Sequence, residues 1–149
     1  MKYDVLELVP HAQPMSLLDR LVECGVDHVE AEVTITAQTL FLENGSVGGW
    51  VGIEYMAQAI AAWAGYHARE TGKPVKIGFL LGSRRYLAHV PGFTLGSVLR
   101  IKAERELQDA AGLSAFTCSI QRDGESLADA TITVFQPENA AEFLKGEKE

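Results

Sequence analysis

The chain has 149 residues, 47% of them hydrophobic, with 13 Lys and Arg against 20 Asp and Glu and a formal net charge of −7. A chain of this length buries roughly two thirds of the surface its unfolded form exposes, enough for one domain with a core that needs neither disulfides nor structural metal. That composition excludes disorder, collagen-like repeats and a disulfide scaffold, and the acidic balance without any basic run speaks against nucleic acid as a partner.

The N-terminus reads Met1-Lys2-Tyr3-Asp4, and Glu7 and His11 break the apolar pattern after it, so no signal-peptide core is expected and a cytoplasmic location follows. A short amphipathic piece, Val5 to Val9, stops at Pro10. Residues 21–36 alternate partly as a strand pair, with Val26, Val29, Ala31, Val33 and Ile35 on one face and Glu30, Glu32 and Thr34 on the other. Residues 39–49 read as loop, broken by Glu43-Asn44-Gly45 and Gly48-Gly49.

A helix follows. Ile53, Met56, Ala57, Ile60, Ala61 and Ala64 keep helical spacing, while Val51, Tyr55, Ala59 and Trp63 fill the other faces, so it is expected to be buried on most sides. Residues 69–74, ending in Gly72-Lys73-Pro74, stop it. The apolar stretch from Trp50 to Tyr66 falls short of the ~20 residues a membrane span needs and carries Glu54 and Gln58. The remainder reads as strands over 75–81, 86–90, 97–107, 113–121 and 127–135, with turns at Pro91-Gly92 and Asp123-Gly124. The tail 137–149 is charged at its end and expected to fray. Cys24 and Cys118, far apart and without C-x-x-C spacing, fit packed reduced thiols better than a disulfide or a zinc site. The pattern predicts an α+β fold of one long buried helix and a long antiparallel sheet.

Glu54 stands out on physical grounds. A carboxylate in the first turns of an apolar helix must be paired, reach solvent or be functional. Gln58, one turn on, can share its face and orient it. Gly48 and Gly49 let another group approach the backbone, and the N–H groups at the helix start carry partial positive charge, an arrangement that suits an acyl carbonyl. The plainer alternative is an acid that merely favours its helix N-terminus, with glycines that only build a turn.

Three motifs then point to a family. Pro10-His11-Ala12-Gln13-Pro14-Met15-Ser16-Leu17-Leu18-Asp19-Arg20-Leu21 resembles the opening, and Ile53-Glu54-Tyr55-Met56-Ala57-Gln58-Ala59 the central-helix motif, of the 3-hydroxyacyl-acyl carrier protein dehydratases. Val90-Pro91-Gly92, Gly112-Leu113, Asp123-Gly124 and Ala128-Asp129-Ala130-Thr131 fall in the order of that family's later strands and turns, so the resemblance covers nearly the whole chain. It implies the hot-dog fold, in which a curved antiparallel sheet wraps one central helix, and an active site at a dimer interface without metal or organic cofactor. There a histidine of one subunit removes the C2 proton of a 3-hydroxyacyl thioester, and an acid on the other subunit's helix protonates the departing C3 hydroxyl, leaving a trans-2-enoyl thioester. Glu54 matches that acid. The Gly49 backbone matches the donor that polarises the thioester carbonyl, with Gly48, Gln58 and Trp50 as further substrate-binding candidates.

The chain departs from the family in one place. The family's catalytic histidine belongs to a glycine-histidine-phenylalanine-proline motif before the helix, and residues 36–49 contain no histidine. His28 on a strand and His67 at the helix end read as structural or surface residues, and His89 lies near Arg84 and Arg85 in sequence. His11 reads either as a surrogate base or as a structural residue of its turn. Alternatively a hot-dog paralogue supplies the histidine across a heterodimer interface. The altered loop is similar to that of the accessory dehydratases of aryl polyene type pathways. An acidic carrier protein calls for a local positive patch, for which Arg84 and Arg85 are the best candidates, with Lys73, Lys76, Arg100 and Lys102 as possible additions or as scattered solvated charges. Trp50, Trp63 and Phe79 read as tunnel lining or as core. Three functions stay open at this point: the dehydratase, a hot-dog thioesterase whose helix acid activates water, and an incomplete subunit that pairs with an active paralogue.

Overall fold

The computed structural model describes residues 17–72, 79–108 and 112–135, without the side chains of residues 79–84, 107 and 135. The amphipathic piece at 5–9, His11 and the tail 137–149 lie outside these residues. The first two strands, β1 (Arg20–Cys24) and β2 (His28–Thr34), form an antiparallel pair. Along β2 the alternation of the sequence becomes two faces. Val29, Ala31 and Val33 are buried opposite Ala103, Ile101 and Leu99 of β7 (Val98–Gln108), while Glu30 and Glu32 face outward opposite Lys102 and Arg100.

Strands β8 (Leu113–Arg122) and β9 (Glu125–Phe135) form the hairpin expected at Asp123-Gly124. Both turn residues have positive φ, 52° and 82°, the requirement of a two-residue turn whose twist matches the strands. With β5 (Phe79–Ala88) these strands make a six-stranded antiparallel sheet in the order β1-β2-β7-β8-β9-β5. The helix α1 (Gly52–Glu70) packs on this curved sheet. Met56, Ile60, Leu99, Ile101, Phe116, Ile120 and Ile132 are buried between them, each side chain worth roughly 1.5–3 kcal/mol on leaving water. Thr71 closes the helix by donating its hydroxyl to the carbonyls of His67 and Ala68, and Gly72 takes a φ of 71° there. Among the described residues no helix is long and apolar enough to cross a membrane.

Two elements differ from the sequence reading. Residues 39–49 are not only loop: β3 (Leu42–Glu43) and β4 (Ser46–Gly48) pair around Asn44-Gly45, and β6 (Gly92–Thr94) joins them in a second, three-stranded sheet. Asn44 and Gly45 both have positive φ, so the apparent breaker is a hairpin turn with strands too short to show alternation. The second difference is β5, one strand where two segments were expected. Register shifts at Leu80/Gly82 and Ser83/Arg85 absorb the residues that read as a break, which is what bulges do beside a glycine.

Candidate active site

The helix start is built from glycine. A single 3₁₀ turn over Gly49–Val51 leads into α1, with no side-chain cap on either, and Glu54 is the acid of the first turn. The space these glycines leave open is filled by protein atoms. A Cβ on Gly48 would lie 2.5 Å from Nε1 of Trp50, and one on Gly49 would lie 3.1 Å from the Val90 carbonyl oxygen and 3.2 Å from Cβ of Ala88. Gly49 also spends its amide internally, donating to the Pro91 carbonyl at 3.0 Å. The role the resemblance implies for this N–H therefore meets a competitor within the chain: a thioester carbonyl would have to displace Pro91.

Glu54 is half-buried and Gln58 fully buried. The Leu17 backbone N–H donates to Oε1 of Gln58 at 2.8 Å, which settles how the amide is turned, because only its oxygen can accept. Nε2 then donates to Oε1 of Glu54 at 3.3 Å. The chain just before β1 thus holds the glutamine, and the glutamine holds the carboxyl, with the spacing of one helical turn. Burying an amide with both ends satisfied costs little, whereas losing either partner leaves a buried polar group unpaired.

No described histidine joins this arrangement. His28 Nε2 lies 2.7 Å from Oε1 of Glu23, and His89 Nε2 lies 2.7 Å from Oδ2 of Asp129. His67 bonds the Gly25 carbonyl at 2.6 Å, thirteen residues down the helix and so about 20 Å from Glu54 along its axis. His11 falls outside the described residues. Trp50 is 67% exposed and sits edge to face with Phe41 at 5.5 Å, so within this chain it lines no buried tunnel.

The comparisons with known proteins agree with the motifs. A family model described as the ApeP dehydratase matches residues 3–145. The chain belongs to the ApeP dehydratase family. This is a hot-dog dehydratase family of the aryl polyene type to which the altered loop is similar. Across its whole length the chain is similar to a solved structure from Xenorhabdus doucetiae, the dehydratase heterocomplex ApeI:P, at 32% identity and a TM-score of 0.89, with all of both chains covered. Two more distant structures share the fold. One is a hypothetical thioesterase with coenzyme A from Streptococcus pneumoniae, at 19% identity and a TM-score of 0.62, covering 78% of this chain and 84% of that one. The other is the PaaI protein of the phenylacetic acid degradation operon of E. coli, at 15% identity and a TM-score of 0.61, covering 77% and 80%. Among curated proteins there is no match.

In this ApeP-family chain the cations proposed for carrier binding fall into two groups. Arg85 is exposed on β5, while the Arg84 side chain, Lys73 and Lys76 lie outside the described residues. Arg100 and Lys102 are not a positive patch: Arg100 bonds Glu30 at 2.9 Å, and Lys102 lies 3.7 Å from the same carboxylate. Together with the Arg20–Glu32 pair at 3.0 Å they form an alternating ladder across β1, β2 and β7. Charges paired this way across strands compensate one another.

Two tyrosines near the acid escaped the sequence reading. The Tyr55 hydroxyl is buried with no hydrogen-bond partner among the described residues, and burial, followed by the charge of Asp19 and by Tyr86, pushes it up to about 12. Tyr86 is also raised to about 12 by burial, and its hydroxyl donates to the Gly49 carbonyl at 2.5 Å. An aromatic in an alternating strand reads as core; the signal that could have marked Tyr86 is a glycine at the first helical position, where a better helix former is expected. Burial also pushes both thiols, Cys24 and Cys118, to about 12, which makes them poor nucleophiles.

Proposed function

We propose that this chain supplies the acid of a dehydratase active site that acts on 3-hydroxyacyl thioesters carried by an acyl carrier protein, in a pathway of aryl polyene type. A base takes the C2 proton, the C3–O bond breaks as the C2=C3 double bond forms, and Glu54 gives its proton to the leaving hydroxyl, so that one water and a trans-2-enoyl thioester result. The observation that carries this reading is the buried relay from Leu17 through Gln58 to Glu54, which fixes a carboxyl at the start of an otherwise apolar helix.

The base is the open half. His28, His67 and His89 are each bonded elsewhere, and the 32% identical structure is a heterocomplex. These two facts favour a histidine delivered by a second hot-dog chain over His11 of this one. The exposed Arg85, together with Arg84, is the proposed contact for the acidic carrier protein. The thioesterase structures share only the fold, and function lives in the site, so they add no second reading of equal standing.

Mass spectrometry of a 3-hydroxyacyl-carrier protein tests this, with the chain alone and then with a hot-dog paralogue. Loss of one water only in the pair places the base in trans. Loss by the chain alone places the base within this chain, at His11 or at a group not yet identified. Release of free thiol without enoyl product, or no reaction in either setting, would sink the dehydratase reading.

A further inference from the structure

Tyr86 takes no part in the chemistry proposed above, yet it grips the backbone that leads into the acid. Its hydroxyl donates to the Gly49 carbonyl at 2.5 Å, and the Gly52 N–H bonds the same oxygen. A Cβ at Gly52 would overlap the Tyr86 hydroxyl and come within 2.9 Å of Cδ1 of Ile120, so the missing side chain at 52 is what lets the phenol reach under the first turn. On its other side the Gly49 amide donates to Pro91, in the turn that follows β5. One residue, Gly49, five before Glu54, is therefore held through both its N–H and its carbonyl by β5 and its turn. No side-chain cap does this work locally: the residue before the helix is Val51, which has no capping group.

We propose that Tyr86 is a positioning residue for Glu54. By holding the Gly49 carbonyl from the sheet side it fixes the height and rotation of the first helical turn, and so the point from which the carboxyl delivers its proton. Gln58 sets the carboxyl from one turn further along; Tyr86 sets the backbone that carries it. Proton transfer is sensitive to such placement, since a displacement of about 1 Å can cost on the order of 10²-fold in rate. This inference rests on the reading of Glu54 as the acid.

The test is Tyr86→Phe, which keeps the ring and removes the hydroxyl, measured in the form that dehydrates, alone or with the paralogue. The expected result is a fall in kcat of about tenfold with KM within about twofold, because the carboxyl is displaced while substrate binding is not. Ile132→Val, which removes one methylene from the core on β9, serves as a destabilised control and is expected to lower Tm while leaving kcat unchanged. Hydrogen exchange of the segment 48–56 reads the grip without any activity: it should quicken in Tyr86→Phe and not in the control.

An unchanged exchange rate shows that the hydroxyl holds nothing. Faster exchange with an unchanged kcat shows a bond that is structural only. An equal loss of kcat in Ile132→Val shows a general effect of instability. Each of these overturns the proposal while Glu54→Gln still abolishes turnover. A wild-type protein that dehydrates nothing in either form instead removes the acid reading, and this role with it.

Discussion

The two ends of α1 are built on opposite plans. At the C-terminal end polar groups are tied down. Trp63 Nε1 and the His67 ring both bond the Gly25 carbonyl, Thr71 caps the last turn, and Arg105 stacks over Trp63 at 4.9 Å while its guanidinium bonds Asp27. At the N-terminal end there is no side-chain cap, three glycines lie within five residues, a tyrosine hydroxyl is buried without a partner among the described residues, and the one acid of the first turn is held by a glutamine. The first end is an anchor and the second is the candidate site. At the candidate site one buried hydroxyl, that of Tyr55, carries the cost of an unsatisfied polar group.

Changes at each end should therefore have different signatures. Glu54→Gln should remove the proton donor and lower turnover by about 10²- to 10⁴-fold with little change in melting temperature; a variant that keeps its rate would erase the distinction between the ends. Trp63→Ala should do the reverse, destabilising by about 3–5 kcal/mol in urea titrations while the folded fraction keeps its specific activity. Gln58→Leu joins the two effects. It leaves the buried Leu17 N–H without its acceptor and removes one hydrogen bond to the carboxyl, so a stability loss of about 1–3 kcal/mol should accompany the loss of rate.

A further expected effect is one of pH. Tyr55, Tyr86, Cys24 and Cys118 are each raised to about 12 in the fold, from 10 for the tyrosines and 9 for the thiols. Each therefore favours its neutral form when folded. That contribution to stability is complete below the unfolded values and is lost as pH rises from about 9 toward 12, because the unfolded chain ionises first. Melting temperatures should fall progressively over that window, and the fall should be shallower in Tyr86→Phe. A melting temperature that stays flat from pH 9 to 12 would contradict the burial of these groups.

Local periodicity made much of this legible. The alternation in β2, the Asp123-Gly124 hairpin and the helix with its Thr71-Gly72 stop could be read because each is encoded within a few consecutive residues. Glu54 and Gln58 were legible for the same reason, since one helical turn separates them. What escaped depends on partners distant in sequence. The amide of Gly49 is taken by Pro91 and its carbonyl by Tyr86, and no pattern around residue 49 announces either. The Leu17 bond that orients Gln58 spans 41 residues. Gly48 read as an opening for a ligand, and its space is taken by the neighbouring indole of Trp50, a rotamer choice that composition does not encode.

The ladder of Arg20, Glu32, Arg100, Glu30 and Lys102 has a consequence for how the molecule meets others in solution. Charges that alternate across neighbouring strands form a multipole whose potential fades within a few ångströms, well inside the ~8 Å screening length of physiological salt. Although the chain as a whole carries a net charge of −7, the five ladder charges nearly cancel, leaving one positive charge over. A charged visitor therefore feels this face mainly at close range, pair by pair, while any long-range pull comes from the charge of the chain as a whole.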